Sequence, residues 1–429
     1  MEMKKYKLDE IAEIQTGPFG SQLHNDDYVL EGTPIVTVEH LGNKYFTTQN
    51  LPLVSEADKQ RLKKYILKEN DIVFSRVGSV DRCSFVSKNE DGWLFSGRCL
   101  RVRPNSRLAN AEWLYYFFTQ SYFKEYVRSK AVGCTMPSLN TDLLSELNIS
   151  LPSFETQQKI AAVLSSLDDK IALNRRMNAK LEHMAKRLYD HWFVQFDFPN
   201  ADGKPYKASG GKMVWNETLK REIPDGWEVK KLGELFTTNR GVSYSTKTIT
   251  GDAGIPMINL ASFSPDGSYK IDGIKLYTGD YTKEKVLKPF DLVMCNTQQT
   301  AIDFSKDIIG KALLVPNIFE GDITSSHHVN TLKVHDEKLK FYLYRVFNTD
   351  YFHAYISHFA SGTNIMGLDF AGVESYTAII PNEEILKKFA EFTLNIEKKK
   401  SEIIRENTKL ISLRDRLLPL LMNGQVEVE

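Results

Sequence analysis

A long amphipathic stretch that occurs twice constrains this sequence more than any other feature. No glycine or proline interrupts the chain between Pro152 and Pro199. Within that stretch, apolar or small residues and two asparagines recur at alternating steps of four and three: Ile160, Leu164, Leu167, Ile171, Asn174, Asn178, Leu181, Ala185, Leu188 and Trp192. This spacing predicts a helix that packs along one partner helix. At 1.5 Å per residue, about 40 residues would form a rod of roughly 60 Å.

The same rhythm returns at the other end of the chain. The second series is Phe389, Thr393, Ile396, Lys400, Ile403, Asn407, Leu410, Arg414, Leu417 and Leu421. Each member lies 229 positions after its counterpart, as Phe389 follows Ile160, and Pro381 follows Pro152 by the same step. Two unrelated helices, each packed on its own domain, are the alternative. The repeat extends beyond the helices, which favours a duplication.

The segments that precede the two helices also correspond. GTPIVTV at 32–38 is echoed by GIPMINL at 254–260, and ILKENDIVFSR at 66–76 by VLKPFDLVMCN at 286–296. We therefore expect an α+β fold: two similar domains joined by two long antiparallel helices that form a coiled coil, with pseudo-twofold symmetry. The predicted boundaries are 1–152 for the first domain, 153–198 for the first long helix, 199–226 for a polar connector, 227–381 for the second domain and 382–429 for the second long helix.

An antiparallel register follows from pairing one series against the other in reverse. The alignment with the fewest polar-on-apolar layers has Ile160–Leu421, Leu164–Leu417, Ile171–Leu410, Asn174–Asn407, Asn178–Ile403, Ala185–Ile396 and Trp192–Phe389. Lys400 and Arg414 would then lie against Leu181 and Leu167 and extend their charged ends to water. A buried asparagine layer would penalise slipped registers at a cost in stability. Asparagines that face solvent are the alternative.

Length and composition narrow the class of protein. A chain of 429 residues suggests two or three domains. Neither a bilayer-length apolar run nor a signal-peptide core is visible in the sequence. The four cysteines are scattered, so we expect a cytoplasmic location and no structural zinc. The formal charge is zero, but 61–107 holds 11 basic and five acidic residues. This excess of basic residues is compatible with either a solvent-exposed charged face or a surface that binds the phosphates along DNA.

The motifs of several catalytic classes are missing. The sequence has neither a phosphate-binding G-x-x-x-x-G-K-[ST] loop nor a G-x-G-x-x-G that opens a helix after a strand. It also lacks the Asn- or Asp-Pro-Pro-aromatic run with which amino-methyltransferases hold a base. His327–His328 and His353/His358 do not have metal-ligand spacing. We therefore expect no catalytic residue, no metal site and no cofactor in this chain.

Four motifs carry a resemblance that covers essentially the whole chain. They are GPFGS near the N-terminus, LPSFETQQKIAAVLSSLDDKIALN after the first domain, LYDHWFVQFDFP at the end of the first long helix and IPDGWEVKKLGEL at the opening of the second domain. In combination they resemble the DNA specificity (S) subunit of Type I restriction–modification systems. The resemblance implies two target-recognition domains, each of which reads one half of a split, asymmetric double-stranded DNA target. It also implies that the paired helices act as a spacer and dock two methyltransferase (M) subunits, joined by restriction/translocase (R) subunits. S-adenosylmethionine and ATP with Mg²⁺ would then be bound by the partner subunits.

Candidate DNA-binding residues come from polar loops at corresponding places in the repeat. Arginine grips guanine, asparagine and glutamine suit adenine, and hydroxyls meet a base or a phosphate. In the first domain the candidates are Arg76, Ser79, Arg98, Thr135 and Ser138; in the second they are Asn296, Thr297, Gln298, Gln299, His328, Asn330, Thr363 and Asn364. Ordinary loop residues or turn formers are the alternative at each position. The different chemistry of the two sets predicts different half-sites.

Three other functions compete with this interpretation. A stand-alone DNA-binding or regulatory protein would need no enzyme partner. A specificity part of a fused restriction enzyme would need catalytic motifs that this chain lacks, and a coiled-coil scaffold would not need two elaborate α+β domains. If the S-subunit interpretation holds, helix length should set the number of unread base pairs, because half-sites on one face of a duplex are spaced by turns of roughly 34–36 Å.

Overall fold

The computed structural model describes residues 3–18, 22–131, 137–251, 253–299 and 307–428. The chain divides into two compact units. Unit 1 comprises Met1–Leu173 with Asn407–Glu429, and unit 2 comprises Asn174–Glu406. Each unit therefore contains one α+β domain together with part of each long helix.

Unit 1 begins with short strands and includes the first part of the first long helix and the last part of the second. Its elements are β1 Lys4–Lys7, α1 Leu8–Ile11, β2 Ala12–Thr16, β3 Tyr28–Val29, β4 Thr33–Val36, β5 Leu53–Val54, α2 Glu56–Arg61, β6 Ile72–Ser75, β7 Cys83–Phe85, β8 Leu94–Phe95, β9 Cys99–Pro104, α3 Ala111–Thr119, α4 Ser121–Lys130, α5 Thr141–Ser145, β10 Asn148–Leu151 and the first part of α6 Phe154–Tyr189.

Two four-stranded sheets build the domain of unit 1. One has the order β2-β9-β6-β7, and the other has the order β3-β5-β4-β8 with β4 and β8 parallel. Strand β6 reads IVFS and is buried along its whole length, which explains its continuous apolar run. Aromatic side chains of α3, including Trp113 and Phe118, are buried in the same core, and β1 pairs with β10.

Unit 2 contains the rest of α6, a π-helical turn and the second domain. Its elements are π-helix Asp190–Val194, β11 Met213–Asn216, β12 Arg221–Pro224, β13 Glu228–Lys231, β14 Phe236–Arg240, β15 Ile249–Thr250, β16 Ile255–Ile258, β17 Lys275–Tyr277, β18 Leu292–Cys295, β19 Thr297–Gln299, β20 Ala312–Leu314, β21 Thr324–Ser325, β22 Val329–Val334, α7 Leu339–Phe347, α8 Asp350–Ser357, β23 Ala360–Ser361, β24 Ile365–Leu368, α9 Phe370–Ser375, β25 Thr377–Ile380 and the first part of α10 Glu383–Met422.

The strand order of unit 1 recurs in unit 2. Its two four-stranded sheets have the orders β14-β22-β18-β20 and β15-β17-β16-β21, and β13 pairs with β25 as β1 pairs with β10. The predicted α+β duplication is confirmed by this shared topology. Unit 2 also has a three-stranded sheet, β19-β24-β23, and the segment predicted as a polar connector includes the β11–β12 hairpin.

The long helices run antiparallel within each unit, as predicted. In unit 1, Ile160 and Leu421 belong to one apolar core, and Asp168 accepts a hydrogen bond from Arg414 Nη1 at 2.7 Å. In unit 2, Asn174 hydrogen-bonds to Glu406 at 2.8 Å and Glu182 pairs with Lys400 at 2.6 Å. Trp192, in the π-helical turn after α6, has its ring centroid 6.1 Å from that of Phe389. Later residues of α6 thus meet earlier residues of α10 in both cases.

The residues predicted for the helix–helix seam lie on the protected faces of the helices. Ile160, Leu164, Ile171, Asn174, Phe389 and Ile396 are buried, and Trp192, Asn407, Leu410 and Leu417 are half-buried. The Asn174 amide donates a hydrogen bond to the Glu406 carboxylate at 2.8 Å within unit 2. A pairing of Asn174 with Asn407 would join residues of different units and stays a prediction.

Two charged seam residues behave differently from the prediction. Lys400 Nζ donates to Glu182 at 2.6 Å and to Glu397 at 3.0 Å, and its side chain is only 16% exposed. Arg414 pairs with Asp168 and with its neighbour Asp415. The prediction that both charged ends extend to water is wrong, because carboxylates on α6 and α10 supply partners for them.

Candidate nucleic-acid interface

A cleft of about 270 Å³ opens at the surface of unit 1. Its walls come from three places in the sequence: the turn after β4, the turn between β6 and β7, and the segment that joins β8 to β9. The lining residues are Val38, Glu39, Ser75, Val77, Gly78, Ser79, Arg82 and Arg98. Hydroxyl and guanidinium groups therefore share a concave surface.

Backbone hydrogen bonds bring the predicted residues to this cleft. The Arg76 N–H donates to the Arg98 carbonyl at 2.8 Å, and the Arg76 carbonyl accepts from the Leu139 N–H at 2.8 Å. Val77 forms a β-bridge with Ser138. Ser79 and Arg98 thus line the cleft, and Arg76 and Ser138 are bonded to residues that line it. Thr135 lies outside the described residues.

The positive charge of this cleft is carried by exposed arginines. Arg82 and Arg98 are exposed, and neither forms an ion pair with a described residue. Arg101 instead donates to Glu13 at 2.6 Å, and Arg103 pairs with Asp71 at 2.7 Å. Part of the basic excess in 61–107 therefore has a structural role. Sequence reasoning missed Arg82, since nothing in its local sequence distinguishes it from the paired arginines.

Unit 2 repeats the backbone framework of the cleft with other side chains. The Asn296 N–H donates to the His328 carbonyl at 3.0 Å, and the Asn296 carbonyl accepts from the Leu368 N–H at 2.8 Å. Asn296 and His328 thus occupy the positions that Arg76 and Arg98 hold in unit 1. Arginine chemistry is replaced there by amide and imidazole chemistry.

In each unit, a glycine lies in close contact with a neighbouring backbone segment. A Cβ atom on Gly17 would lie 2.0 Å from the Ser96 carbonyl oxygen, and one on Gly241 would lie 2.2 Å from the carbonyl oxygens of Ser325 and Ser326. Any larger residue would force these backbone segments apart. The equivalence of the two frameworks therefore extends to their closest backbone contacts.

Two of the predicted amides are engaged inside unit 2. Asn296 Nδ2 donates to Asn330 Oδ1 at 2.8 Å, and Gln298 Oε1 accepts from the Ile308 N–H at 2.7 Å. Asn296 and Gln298 are only 8% and 4% exposed, and Asn330 is half-buried. In this structure these amides hold the loop in place rather than face outward.

The remaining predicted residues of unit 2 lie along one small sheet. Gln299 is opposite Ile365 where β19 pairs with β24. Thr363 and Asn364 are exposed in the turn between β23 and β24. Half-buried Thr297, also in β19, places Oγ1 2.7 Å from His328 Nδ1. The sheet thus connects the polar run after β18 to the exposed turn.

Histidines, a tyrosine and cations form a cluster beside this sheet. The His327 and His328 ring centroids are 3.8 Å apart, and the Tyr244 ring centroid is 5.3 Å from that of His327. Lys275 Nζ lies 5.6 Å from the Tyr244 centroid, and Arg240 Nε donates to the His327 carbonyl at 3.0 Å. We call these five residues the histidine cluster. Flat rings beside cations provide stacking surfaces and charge for nucleic acid.

Sequence similarity identifies the family to which these two frameworks belong. The family described as "Type I restriction modification DNA specificity domain" matches residues 1–183 and again residues 224–411. The chain belongs to this specificity family. The two matched ranges include both cleft frameworks and much of both long helices.

Relatives in the specificity family span most of the chain. The MjaIX specificity subunit of a Type I restriction enzyme from Methanocaldococcus jannaschii is 29% identical over 322 residues, which cover 74% of this chain and 70% of the relative. The HindI specificity subunit from Haemophilus influenzae is 25% identical and covers 91% of this chain and 94% of the relative. The crystal structure of an S subunit from M. genitalium has a TM-score of 0.56 at 14% identity and covers 98% of this chain and 96% of that one. This last similarity confirms the fold.

Family membership makes the chain a DNA specificity subunit rather than a catalytic one. Its described cysteines, Cys83, Cys99 and Cys295, are buried, and burial raises the pKa of each thiol to about 12, so they are neutral at pH 7. Among the described residues, no group of three or more His, Cys, Asp or Glu side chains is arranged to hold a metal ion. None of the described helices combines the length and apolar composition that a bilayer crossing requires.

Proposed function

We propose that this specificity subunit recognises a bipartite, asymmetric DNA target. The cleft of unit 1 would read one half, and the histidine cluster with the β19–β24 sheet would read the other. The observation that carries this proposal is one backbone framework that occurs twice with different side chains. Arg76 and Arg98 in unit 1 correspond to Asn296 and His328 in unit 2.

Different side chains at equivalent positions favour different bases. An arginine binds the O6 and N7 acceptors of guanine with two hydrogen bonds, and it also contacts phosphate. Histidine and threonine are weaker, shorter donors that do not reproduce that bidentate geometry. Two reading sites of unlike chemistry therefore match a target whose halves differ in sequence.

The remaining functions belong to partner subunits in this proposal. The subunit would dock two M subunits, which bind S-adenosylmethionine, and through them R subunits, which use ATP and Mg²⁺. Helices α6 and α10 would set the number of unread base pairs between the halves. The 36 residues of α6 correspond to about 54 Å of helix, more than one DNA turn of roughly 34 Å.

Co-expression with the cognate M subunit tests this proposal. We expect a complex with two M subunits per chain, measured by native mass spectrometry. Selection from a random duplex pool at fixed salt should then yield a two-part consensus with a constant spacer. A single continuous motif, or a complex with no sequence preference, would contradict the proposal. Selection of the same DNA by the chain alone, with no M subunit bound, would favour a stand-alone DNA-binding protein.

A further inference from the structure

The two units place residues of different acid–base behaviour at one equivalent position. The Arg98 carbonyl accepts a hydrogen bond from the N–H of Arg76, the residue after β6. The His328 carbonyl accepts one from the N–H of Asn296, the residue after β18. Arginine is charged at every accessible pH, whereas the ordinary pKa of histidine lies near 6.5. The corresponding parts of units 1 and 2 therefore differ in whether their charge depends on pH.

The geometry around His328 leaves a donor for an external group. Thr297 Oγ1 lies 2.7 Å from His328 Nδ1 and can donate to it when the ring is neutral. The proton of the neutral ring is then on Nε2, for which no described residue provides a hydrogen-bond partner. In the neighbouring ring, buried His327 Nδ1 has no hydrogen-bond partner among the described residues. The histidine pair thus has spare hydrogen-bonding capacity.

Among the residues that the structure describes, the groups that face the pair are cationic or neutral. Arg240 comes from β14, Lys275 from β17, Tyr244 from the loop after β14, and Thr297 from β19. Burial, Arg240 and the neighbouring ring lower the pKa of His328, and burial and Arg240 lower the pKa of His327. Both rings are therefore mostly neutral near pH 7 in the free chain.

We propose that unit 2 takes up a proton at the His327–His328 pair when it binds DNA, whereas unit 1 binds through the permanent charge of Arg98. This inference rests on the proposed function and adds a pH dependence to one half-site. The ligand is a hydrogen-bond acceptor on DNA, either a phosphate oxygen or the N7/O6 edge of a purine. Its negative potential supplies the counter-charge that the cluster lacks.

The direction of the effect follows from linkage. A DNA acceptor beside the pair favours the imidazolium form and raises its pKa above the lowered value of the free chain. Binding is then coupled to proton uptake, and affinity increases as pH falls through the interval between the free and bound pKa values. The lowered pKa of the folded chain also means that low pH favours unfolding, so binding is measured at pH 6 and above.

Fluorescence anisotropy tests the inference on the reconstituted S–M complex and the duplex selected as described above. At constant ionic strength, we expect the wild-type complex to bind about three- to tenfold more tightly at pH 6.0 than at pH 7.5, since uptake of one proton changes affinity by at most tenfold per pH unit. His328→Arg should bind with little pH dependence. His328→Gln, which has similar size but no titratable group, should bind more weakly and also without pH dependence.

Matched changes elsewhere make the test specific. Arg98→His should add pH dependence to the half-site of unit 1, and His335→Gln, which removes an exposed histidine of unit 2, should leave the pH profile unchanged. Calorimetry in buffers of different ionisation enthalpy should show net proton uptake by the wild type and no net uptake by His328→Gln.

The outcomes separate this inference from the proposed function. Specific binding that is equally tight at both pH values, or a wild-type pH profile in both His328 variants, would overturn the inference alone. Absence of sequence-specific binding at every pH would overturn the proposed function as well. A variant that loses base preference at one position identifies a base contact, whereas a lower salt dependence at unchanged preference identifies a phosphate contact.

Discussion

Replacing Glu182 by Gln is expected to lower the free energy of unfolding by about 3 kcal/mol, towards the low end of the range for breaking a buried ion pair. Glu182, on α6, pairs with Lys400 of α10 at 2.6 Å and also with Arg345 of α7. Arg345 is 5% exposed and Lys400 is 16% exposed, so the substitution leaves two protected cations short of counter-charge. Glu397 would still pair with Arg345 at 3.7 Å and with Lys400 at 3.0 Å, but α6 would lose its ion pairs with α7 and α10.

The pH dependence of stability provides a second test of this ion cluster. Burial acts to raise the pKa of Glu182, but attraction to Lys400 and Arg345 outweighs it and lowers the pKa to about 2. The stabilisation is therefore fully present above the unfolded pKa of about 4.3 and is lost as pH falls towards 2. Urea denaturation between pH 7 and pH 3 should show a smaller acid loss for Glu182→Gln than for the wild type.

A matched exposed pair provides the control for Glu182. Lys399 and Glu402 form an i,i+3 ion pair on α10, with side chains 55% and 58% exposed. Glu402→Gln should change stability by no more than about 0.5 kcal/mol, because water screens exposed pairs. Equal effects of the two substitutions would show that the buried cluster has no special role in unit 2.

Replacing Arg98 by Ala is expected to weaken binding of the cognate duplex by about 1–3 kcal/mol, or roughly fivefold to more than a hundredfold. The guanidinium is exposed on the cleft of unit 1 and has no ionic partner among the described residues. Its removal should relax base preference in one half of the target and leave the other half unchanged. Anisotropy with duplexes substituted at each position would measure both effects.

Arg107→Ala is the matched control for this prediction. Arg107 is also an exposed arginine of unit 1, but it does not line the cleft. We expect its removal to leave base preference unchanged at every position. Unaltered affinity of Arg98→Ala, or equal losses for both variants, would contradict the assignment of the cleft as a reading site.

Periodicity predicted the features of the fold that depend on apolar burial. The seam spacing identified Ile160, Leu164 and Phe389, which are all buried, and the repeat predicted a shared topology. Whether a charged seam residue is exposed or ion-paired depends on partners that periodicity does not reveal. Lys400 is paired because Glu182 lies opposite it, and Arg345 reaches the same carboxylate from a helix distant in sequence.

Residues of the candidate sites could be predicted from the sequence only where a single loop contains the polar side chains. Ser79 lies in a turn after a buried strand, and Arg98 corresponds to His328 through the repeat. Asn296 and Gln298 have the composition of base-reading residues, yet internal hydrogen bonds bury both. Arg240, Tyr244 and Lys275 were missed because separate segments of the chain bring them together, and no single stretch of sequence contains that proximity.

Exchange of one domain shows whether the two domains read DNA independently. Residues 227–381 would be replaced by the corresponding segment of another specificity-family member, and the target of the reconstituted complex would be selected from random DNA. We expect one half of the bipartite consensus to change while the other half and the spacer length stay the same. A change in both halves, or an unchanged consensus, would contradict independent reading by two duplicated domains.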